Sequence, residues 1–305
     1  MNLLNFADRI VENINAQNDM LIASIPDDRK KIMSEIISVM LDFPERPNDF
    51  RLDIYDSFPQ YEHVILLSGG MDSMILWKTM KNIDNKIALF VDVGQKYARR
   101  ELEVVRKFVK KEDLIIASKK IDTPEWEHII PTRNFVLLLL AEMYCADNGK
   151  TYLGAVQGES PDNKGDKSEL FFRLFEELIF LNNRKTIQIK TMKNKTKNDW
   201  LKYYLEISGN DLSILNTITC FKVTVANRKE PAGCGLCQAC LRKWIAMKYC
   251  RLDTKGFFNS DPGNEHSIHV KKYKEKFSKA LETNNFTHYS KDRCVQDLGV
   301  LNEYT

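Results

Sequence analysis

The stretch Val64-Ile65-Leu66-Leu67-Ser68-Gly69-Gly70-Met71-Asp72-Ser73 decides how the rest of the chain is read. Its first four residues form a short unbroken apolar run, as expected of a strand buried on both faces of a parallel sheet. A glycine pair follows, and beyond it Met74, Ile75 and Met80 line the apolar face of a helix. A strand, a glycine turn and a helix N-terminus together make an anion site. The first-turn N–H groups lack intrahelical partners, the helix dipole favours negative charge there, and glycine lets the backbone approach a phosphate closely. Ser68 and Ser73 add hydroxyl donors. A glycine pair alone serves equally well as a plain strand-to-helix turn. The chain contains no GxxxxGK[ST] and no GxGxxG, which disfavours a Walker-type γ-phosphate site and a dinucleotide fingerprint.

The alternation of apolar runs with helix-length segments continues through Ile87–Val93, Leu114–Ala117 and Tyr152–Val156. It predicts an α/β fold with a parallel, Rossmann-like sheet covered on both faces. Helices are expected near Asp72–Lys81, Arg99–Lys110, Asn134–Asp147, Ser168–Leu181 and Lys197–Ile207. Towards the N-terminus, Leu4, Ala7, Ile10, Val11 and Ile14, then Ile32, Ile36, Ile37 and Met40, recur at helical spacing, and Asp42–Asp49 breaks the pattern with two prolines. Residues 1–60 therefore read as a helical N-terminal extension and 61–210 as the nucleotide-handling domain. Residues 211–305 read as a cysteine-bearing, helical C-terminal region: a loop-rich stretch Thr219–Cys240, a helix carrying Trp244, Ile245 and Met247, and a polar remainder ending in a lysine-rich helix, Ile268–Leu281.

Four of the seven cysteines, Cys220, Cys234, Cys237 and Cys240, fall within 21 positions, the last three as overlapping CxxC units. Four soft thiolates at this spacing suit tetrahedral zinc with no open coordination position, a structural site whose loss disorders the loop before it touches chemistry. Gly233 and Gly235 let the backbone curl, and Arg242 and Lys243 lie close enough in sequence to offset the negative charge. An iron–sulfur cluster, a redox pair and free thiols are the competing readings. Cys145, Cys250 and Cys294 stand apart and read as ordinary small thiols, and His266 and His269 as surface residues rather than a second metal site.

Composition sets outer bounds only. The 43% hydrophobic content of 305 residues supports an ordinary buried core. The excess of 45 Lys and Arg over 42 Asp and Glu is too small to argue for nucleic acid, and no aromatic and basic face surrounds the cysteines. No apolar run reaches the roughly 20 residues of a membrane helix. The N-terminus lacks the order of features of a secretory signal, so a reducing cytoplasm is the expected location.

Ser68–Ser73 is similar to the SGGxDS PP-loop of ATP pyrophosphatases, which cleave ATP to AMP and pyrophosphate. Taken with Asp92-Val93-Gly94-Gln95, Pro131-Thr132-Arg133-Asn134, Thr196-Lys197, Thr217-Ile218-Thr219-Cys220 and the CxxCxxC run from Cys234, about residues 62 to 250 resemble the QueC family, the 7-cyano-7-deazaguanine synthases. The resemblance implies a fold like that of the adenine nucleotide α-hydrolases, with ATP, Mg²⁺ and Zn²⁺ as cofactors. It also implies a reaction in which carboxydeazaguanine is adenylated and ammonia displaces AMP, giving the amide and then the nitrile preQ0.

By the same resemblance Ser68, Gly69, Gly70, Asp72, Ser73 and Gln95 border the nucleotide, and Asp72, Lys197 and Arg133 serve catalysis. Asp72 helps to hold Mg²⁺, Lys197 faces the phosphates or the adenylated carboxylate, and Asn134 borders the site beside Arg133. A homodimer and a protein contact through residues 1–60 are further implied. The chain departs from the family pattern where that pattern carries a DxSGYPDCR-type run, having Gly158-Glu159-Ser160-Pro161-Asp162-Asn163-Lys164-Gly165-Asp166-Lys167-Ser168 instead. Glu159 and Asp162 there read either as partners for guanine-like N–H donors or as solvated carboxylates. Gln95 and Glu101 lie one residue further apart than in the family, and Tyr97 stands where histidine is common. A divergent branch follows. Two alternatives accompany it: a defence or DNA-modification enzyme making an amide or a protein-linked deazaguanine, and a PP-loop sulfur-transfer or tRNA-modifying enzyme, for which Cys145 is the early cysteine candidate.

Overall fold

The central strand β1, Tyr61–Leu67, is buried from Val64 to Leu67, and its side chains divide between two cores. Ile65 and Leu67 face one cluster, Val64 and Leu66 the other, as the period of two requires. The computed structural model describes residues 58–95, 97–118, 133–158, 165–218, 220, 233–287 and 289–305. The expected N-terminal helices and the break at 42–49 lie outside the described residues, as do Pro131, Thr132, Glu159, Asp162 and Thr219.

Beyond β1 the chain runs through α1 (Met71–Thr79), β2 (Lys86–Asp92), α2 (Ala98–Phe108), β3 (Leu114–Ser118), α3 (Arg133–Glu142), β4 (Cys145–Val156), α4 (Glu169–Asn183), β5 (Ile187–Met192) and α5 (Lys197–Ile207). The five strands lie in the order β3-β2-β1-β4-β5, and every pairing is parallel. One apolar core joins the sheet to α1, α2 and α5, and the other joins it to α3 and α4. This is the expected parallel Rossmann-like α/β sheet covered on both faces. The strand order reverses direction at β1, so the carboxyl ends of β1, β2 and β4 open on a crevice of the kind that receives ligands in such sheets.

A short 3₁₀ turn, Leu212–Asn216, leads from this layer to α6 (Gln238–Tyr249), α7 (Ile268–Glu282) and α8 (Lys291–Tyr304). These three helices share their own core of Leu241, Trp244, Ile245, Val270, Tyr273, Phe277, Cys294, Val300 and Leu301. Residues Pro59–Thr305 form one compact unit.

Four elements correct the sequence expectation. The helix expected over Asn134–Asp147 ends at Glu142, and β4 begins at Cys145, seven residues before the expected Tyr152. Asp147-Asn148-Gly149 interrupts the apolar signature there, with Asn148 at φ 60° and the register shifting between Tyr61 and His63. The strand β5 was not expected, because as an edge strand it alternates apolar and polar residues and shows no continuous apolar run. Nor was α8, whose buried face mixes charged and apolar residues: Arg293 and Asp297 lie on it beside Cys294, Val300 and Leu301.

Candidate functional site

Gly69 turns the chain out of β1 at φ +64°, a region that β-carbon-bearing residues seldom enter. A Cβ at Gly69 would stand 2.7 Å from the main-chain oxygen of Glu101, so α2 leaves room for no side chain there. Gly70 is the N-cap of α1 and offers no side-chain oxygen, which keeps first-turn N–H groups available to an incoming anion. Ser73 braces the turn: its Oγ donates to Gly70 O at 3.1 Å, accepts from Ser68 N–H at 3.2 Å and lies 3.3 Å from Ser68 Oγ. The loop is thus shaped before any ligand arrives.

Lys197, on the first turn of α5, places Nζ 2.6 Å from Asp72 Oδ2 on the first turn of α1. Both side chains are largely buried, at 10% and 16% exposure. The other carboxylate oxygen, Oδ1, is buried without a hydrogen-bond partner. A buried carboxylate oxygen left unsatisfied is costly, and a hard cation is the ligand such an oxygen suits. The donor set therefore fits Mg²⁺.

Both residues line a cleft of about 230 Å³ with Ser68, Gly70, Ser73, Gln95, Arg133 and Asn134. The structure thus brings together the candidate phosphate, catalytic and nucleotide residues. Gln95 is engaged within the protein: its Oε1 accepts from Val93 N–H at 2.9 Å and its Nε2 donates to Glu101 Oε2 at 2.9 Å. Asn134 Nδ2 donates to Asp166 O at 3.2 Å and ties the start of α3 to the segment before α4. The sequence marks Glu101 only by its spacing from Gln95; its burial in the site is not foreseen, since it sits in a charged helical run like any solvated residue. Burial raises its carboxyl to about 8, against the opposing pull of the Gln95 hydrogen bond and the Arg133 charge. Burial likewise raises the Tyr97 hydroxyl, which hydrogen-bonds Arg133. The cleft also receives Lys167 and Arg242, so four basic side chains border it: Arg133, Lys167, Lys197 and Arg242.

The four cysteine sulfurs lie within 4.8 Å of one another, and three of the cysteines are buried. Cys234–Cys240 and Cys220–Cys237 stand at 3.9 Å and Cys237–Cys240 at 3.5 Å. Four thiolates about 2.3 Å from one zinc ion occupy tetrahedral corners about 3.8 Å apart, so the spacing fits a single ion. An iron–sulfur cluster distributes its thiolates over several irons and calls for wider separation. Backbone N–H groups of Cys234 and Leu236 point at the sulfurs of Cys220 and Cys234, at 3.5 and 3.3 Å. Gly235 takes φ +75°, and a Cβ on it would meet Ser260 O at 1.8 Å. Among the described residues no other group of metal-ligating side chains gathers; His266 is exposed beside Glu265.

Lys243, expected to offset the thiolate charge, makes its direct bonds elsewhere. Its buried ammonium donates to Leu215 O at 2.6 Å and Thr217 O at 2.7 Å, and burial lowers its pKa to about 7. The next residue along, Ile218, donates its N–H to Gly69 O at 2.9 Å. The segment leading to Cys220 is therefore bonded to the phosphate loop. Cys145 and Cys294 are fully buried, as expected of ordinary thiols.

A family model described as "Queuosine biosynthesis protein QueC" matches residues 62–129 and 123–250. The 7-cyano-7-deazaguanine synthase of Chlorobium phaeobacteroides (strain BS1) is 24% identical over 222 residues, covering 62% of this chain and 93% of that protein. The synthase of Persephonella marina is 25% identical over 233 residues, 64% of this chain and 95% of its own. That of Caldicellulosiruptor bescii is 27% identical over 213 residues, 61% and 91% respectively. With the family match spanning more than half of the chain, and at such low identity to each synthase, the protein is a divergent member of the QueC family.

Proposed function

We propose that the protein is an ATP-dependent carbon–nitrogen ligase acting on 7-carboxy-7-deazaguanine. A carboxylate oxygen of the substrate attacks the α-phosphate of ATP, pyrophosphate leaves, and the acyl adenylate forms. Ammonia then displaces AMP to give the amide, and a second adenylation, on the amide oxygen, followed by loss of AMP gives the nitrile. The observation that carries this reading is the Asp72–Lys197 pair at the mouth of a preshaped phosphate loop, in one cleft with Arg133.

Ser68, Gly69, Gly70 and Ser73 hold the phosphates through main-chain N–H groups and hydroxyls, and Gln95 shapes the nucleotide end by holding Val93 and Glu101. Lys197 stabilises the charge that develops as pyrophosphate leaves, and Arg133 faces the acceptor carboxylate. Mg²⁺, held by Asp72 Oδ1, would neutralise the phosphate charge. Zinc on Cys220, Cys234, Cys237 and Cys240 is structural, since no open position remains. Residues 61–210 carry the ATP chemistry, 211–305 the metal site, and 1–60 a contact with a protein partner or the second copy of a homodimer. A sulfur-transfer reading finds no support in Cys145, which is fully buried in β4 with its thiol raised by desolvation. No helix among the described residues is long and apolar enough to cross a membrane.

The test is mass spectrometry after incubation with 7-carboxy-7-deazaguanine, ATP, Mg²⁺ and ammonium. Amide or nitrile with stoichiometric AMP is the expected result. ATP binding with the deazaguanine untouched would overturn the substrate assignment and leave the phosphate loop standing.

A further inference from the structure

Helix α8 begins past residue 250, where the family match ends, yet it grips two segments that adjoin residues of the cleft, Lys197 in one case and Gly154 and Ala155 of β4 in the other. The first is the first turn of α5, which carries Lys197. Gln296 accepts from Thr196 Oγ1 at 2.7 Å and donates to both carboxylate oxygens of Asp199 at 3.0 Å, while Asp297 Oδ1 accepts from Asn198 Nδ2 at 2.8 Å. Lys197 is thus flanked by residues bonded to α8. The second segment is Gln157–Gly158, where β4 gives way to the 159–164 stretch. Gln157 Nε2 donates to Asp292 at 3.2 Å, and the Arg293 guanidinium donates to Gly158 O.

Arg293 joins the two segments. Its Nε donates to Asp297 Oδ2 at 3.2 Å, its side chain is only 8% exposed, and its guanidinium lies against the rings of Tyr289 and Phe277 at 5.0 and 5.8 Å. Gly158 takes φ +75°, and a Cβ there would meet Arg293 Cδ at 2.8 Å. One planar, permanently charged fork therefore sets the end of β4 and, through Asp297, the start of α5.

We propose that Arg293 is a positioning residue: α8 is a clasp that fixes the acceptor side of the site, holding the turn that carries Lys197 in register with the carboxyl end of β4 at Gln157–Gly158. The proposal rests on the deazaguanine ligase reading given above. No bond of α8 described above reaches Ser68, Gly69, Gly70 or Ser73, and Lys197 acts on charge that develops only as pyrophosphate leaves, so acceptor binding and turnover change while ground-state binding of ATP does not. Arg293→Met is expected to raise KM for 7-carboxy-7-deazaguanine about tenfold or more, a misplacement effect, with KM for ATP changed by less than about twofold. Arg293→Lys, which keeps the charge without the fork, falls between. Gln296→Leu, at a half-buried and less demanding position, lowers kcat by disturbing the turn that carries Lys197. Val295→Ala, exposed on the same helix, leaves both constants unchanged.

Equal changes for both substrates, or changes that merely follow a fall in Tm, would overturn the clasp. If Arg293→Met does not fold, Gln296→Leu decides: a lowered kcat with KM for ATP and Tm unchanged supports the clasp, and an unchanged kcat overturns it. If the wild-type protein converts no carboxydeazaguanine, the substrate reading alone has failed. Amide hydrogen exchange then judges the clasp: exchange accelerated in Arg293→Met at 156–158 and 196–199 supports it, and unchanged or molecule-wide exchange refutes it.

Discussion

The phosphate loop and the cysteine loop are both glycine-bearing turns that open a helix, and neither helix is capped by a side chain. Gly69 and Gly235 both take positive φ, and both are hemmed in by main chain, Glu101 in one case and Ser260 in the other. What lies beneath them differs. The phosphate loop stands on a strand buried from Val64 to Leu67, inside the sheet core. Among the described residues, the hydrophobic side chains packed around the three buried thiols of the cysteine cluster are Cys234, Ala239 and Phe258. A turn supported by a sheet is shaped before its ligand arrives, whereas a turn supported by four crowded thiols depends on the ion that removes their protons.

The largest effect should come from breaking the weaker of the two. Cys240→Ser is expected to abolish zinc binding, because structural zinc sites contribute apparent binding free energies of about 10–16 kcal/mol that are also folding free energy. Metal analysis should find no zinc, and the α6–α8 region should lose its cooperative melting. Nucleotide binding, measured by calorimetry, should survive, since β1 and α1 hold the loop. Complete loss of ATP binding would mean instead that the Ile218–Gly69 bond makes the phosphate loop depend on the metal.

The opposite damage comes next. Asp72→Ala removes the carboxylate that Lys197 meets at 2.6 Å, in a site where one electrostatic contact is worth about 10²–10³ in rate. We expect a fall of about that size in AMP release, with full zinc content and an unchanged far-UV spectrum. Retained activity would remove Asp72 from the chemistry and leave it a partner of Lys197 alone.

The two loops were also the legible parts of the sequence, because each is local. Four apolar residues and two glycines announce the phosphate turn, and CxxCxxC announces the thiols. Contacts between distant elements were not legible in the same way. The resemblance names Asp72 and Lys197 for one site without their contact: they are 125 residues apart, and the parallel order β1-β4-β5 brings α1 and α5 side by side. Glu101 looks like a surface charge until α2 crosses behind Gly69. Lys243 reads from sequence as a counter-charge for the thiolates, and it does feel the charge of Cys240, but its hydrogen bonds hold two carbonyls of the segment between the loops. The strand β5 and helix α8 were missed for a related reason: edge exposure in one and two charges on the buried face of the other interrupt the apolar period on which sequence reading depends.

Glu101 sharpens the comparison on the phosphate side. Its folded pKa, about 8, lies above the ordinary 4.5, so its contribution to stability is full below about 4.5 and is lost as pH rises through 8. Wild-type stability should therefore decline across that window by up to a few kcal/mol, and Glu101→Gln should flatten the decline. Urea unfolding of both proteins at pH 5 and pH 8.5 gives the slope. Equal slopes would show that Arg133 keeps the carboxyl ionised throughout.

The smallest effect belongs to the joint between the loops. Asp211 caps the 3₁₀ turn that leads to Thr217 and Ile218: its carboxylate accepts from Ser213 N–H at 3.0 Å and from the Tyr204 hydroxyl at 2.7 Å. These bonds, led by those to Ser213 and Tyr204, hold its pKa down at about 2. A lowered carboxylate pKa stabilises above the unfolded value of 3.8 and loses that contribution as pH falls through 2. Because the Asp211 side chain is 34% exposed, solvent screening keeps the effect small, and Asp211→Ala should cost about 1 kcal/mol, the usual value of a helix cap. The difference between variant and wild type should shrink below pH 3.8 and vanish near pH 2. A cost above about 3 kcal/mol would exceed any cap. It would show that the turn transmits order between the cysteine and phosphate loops, making them one cooperative unit rather than two.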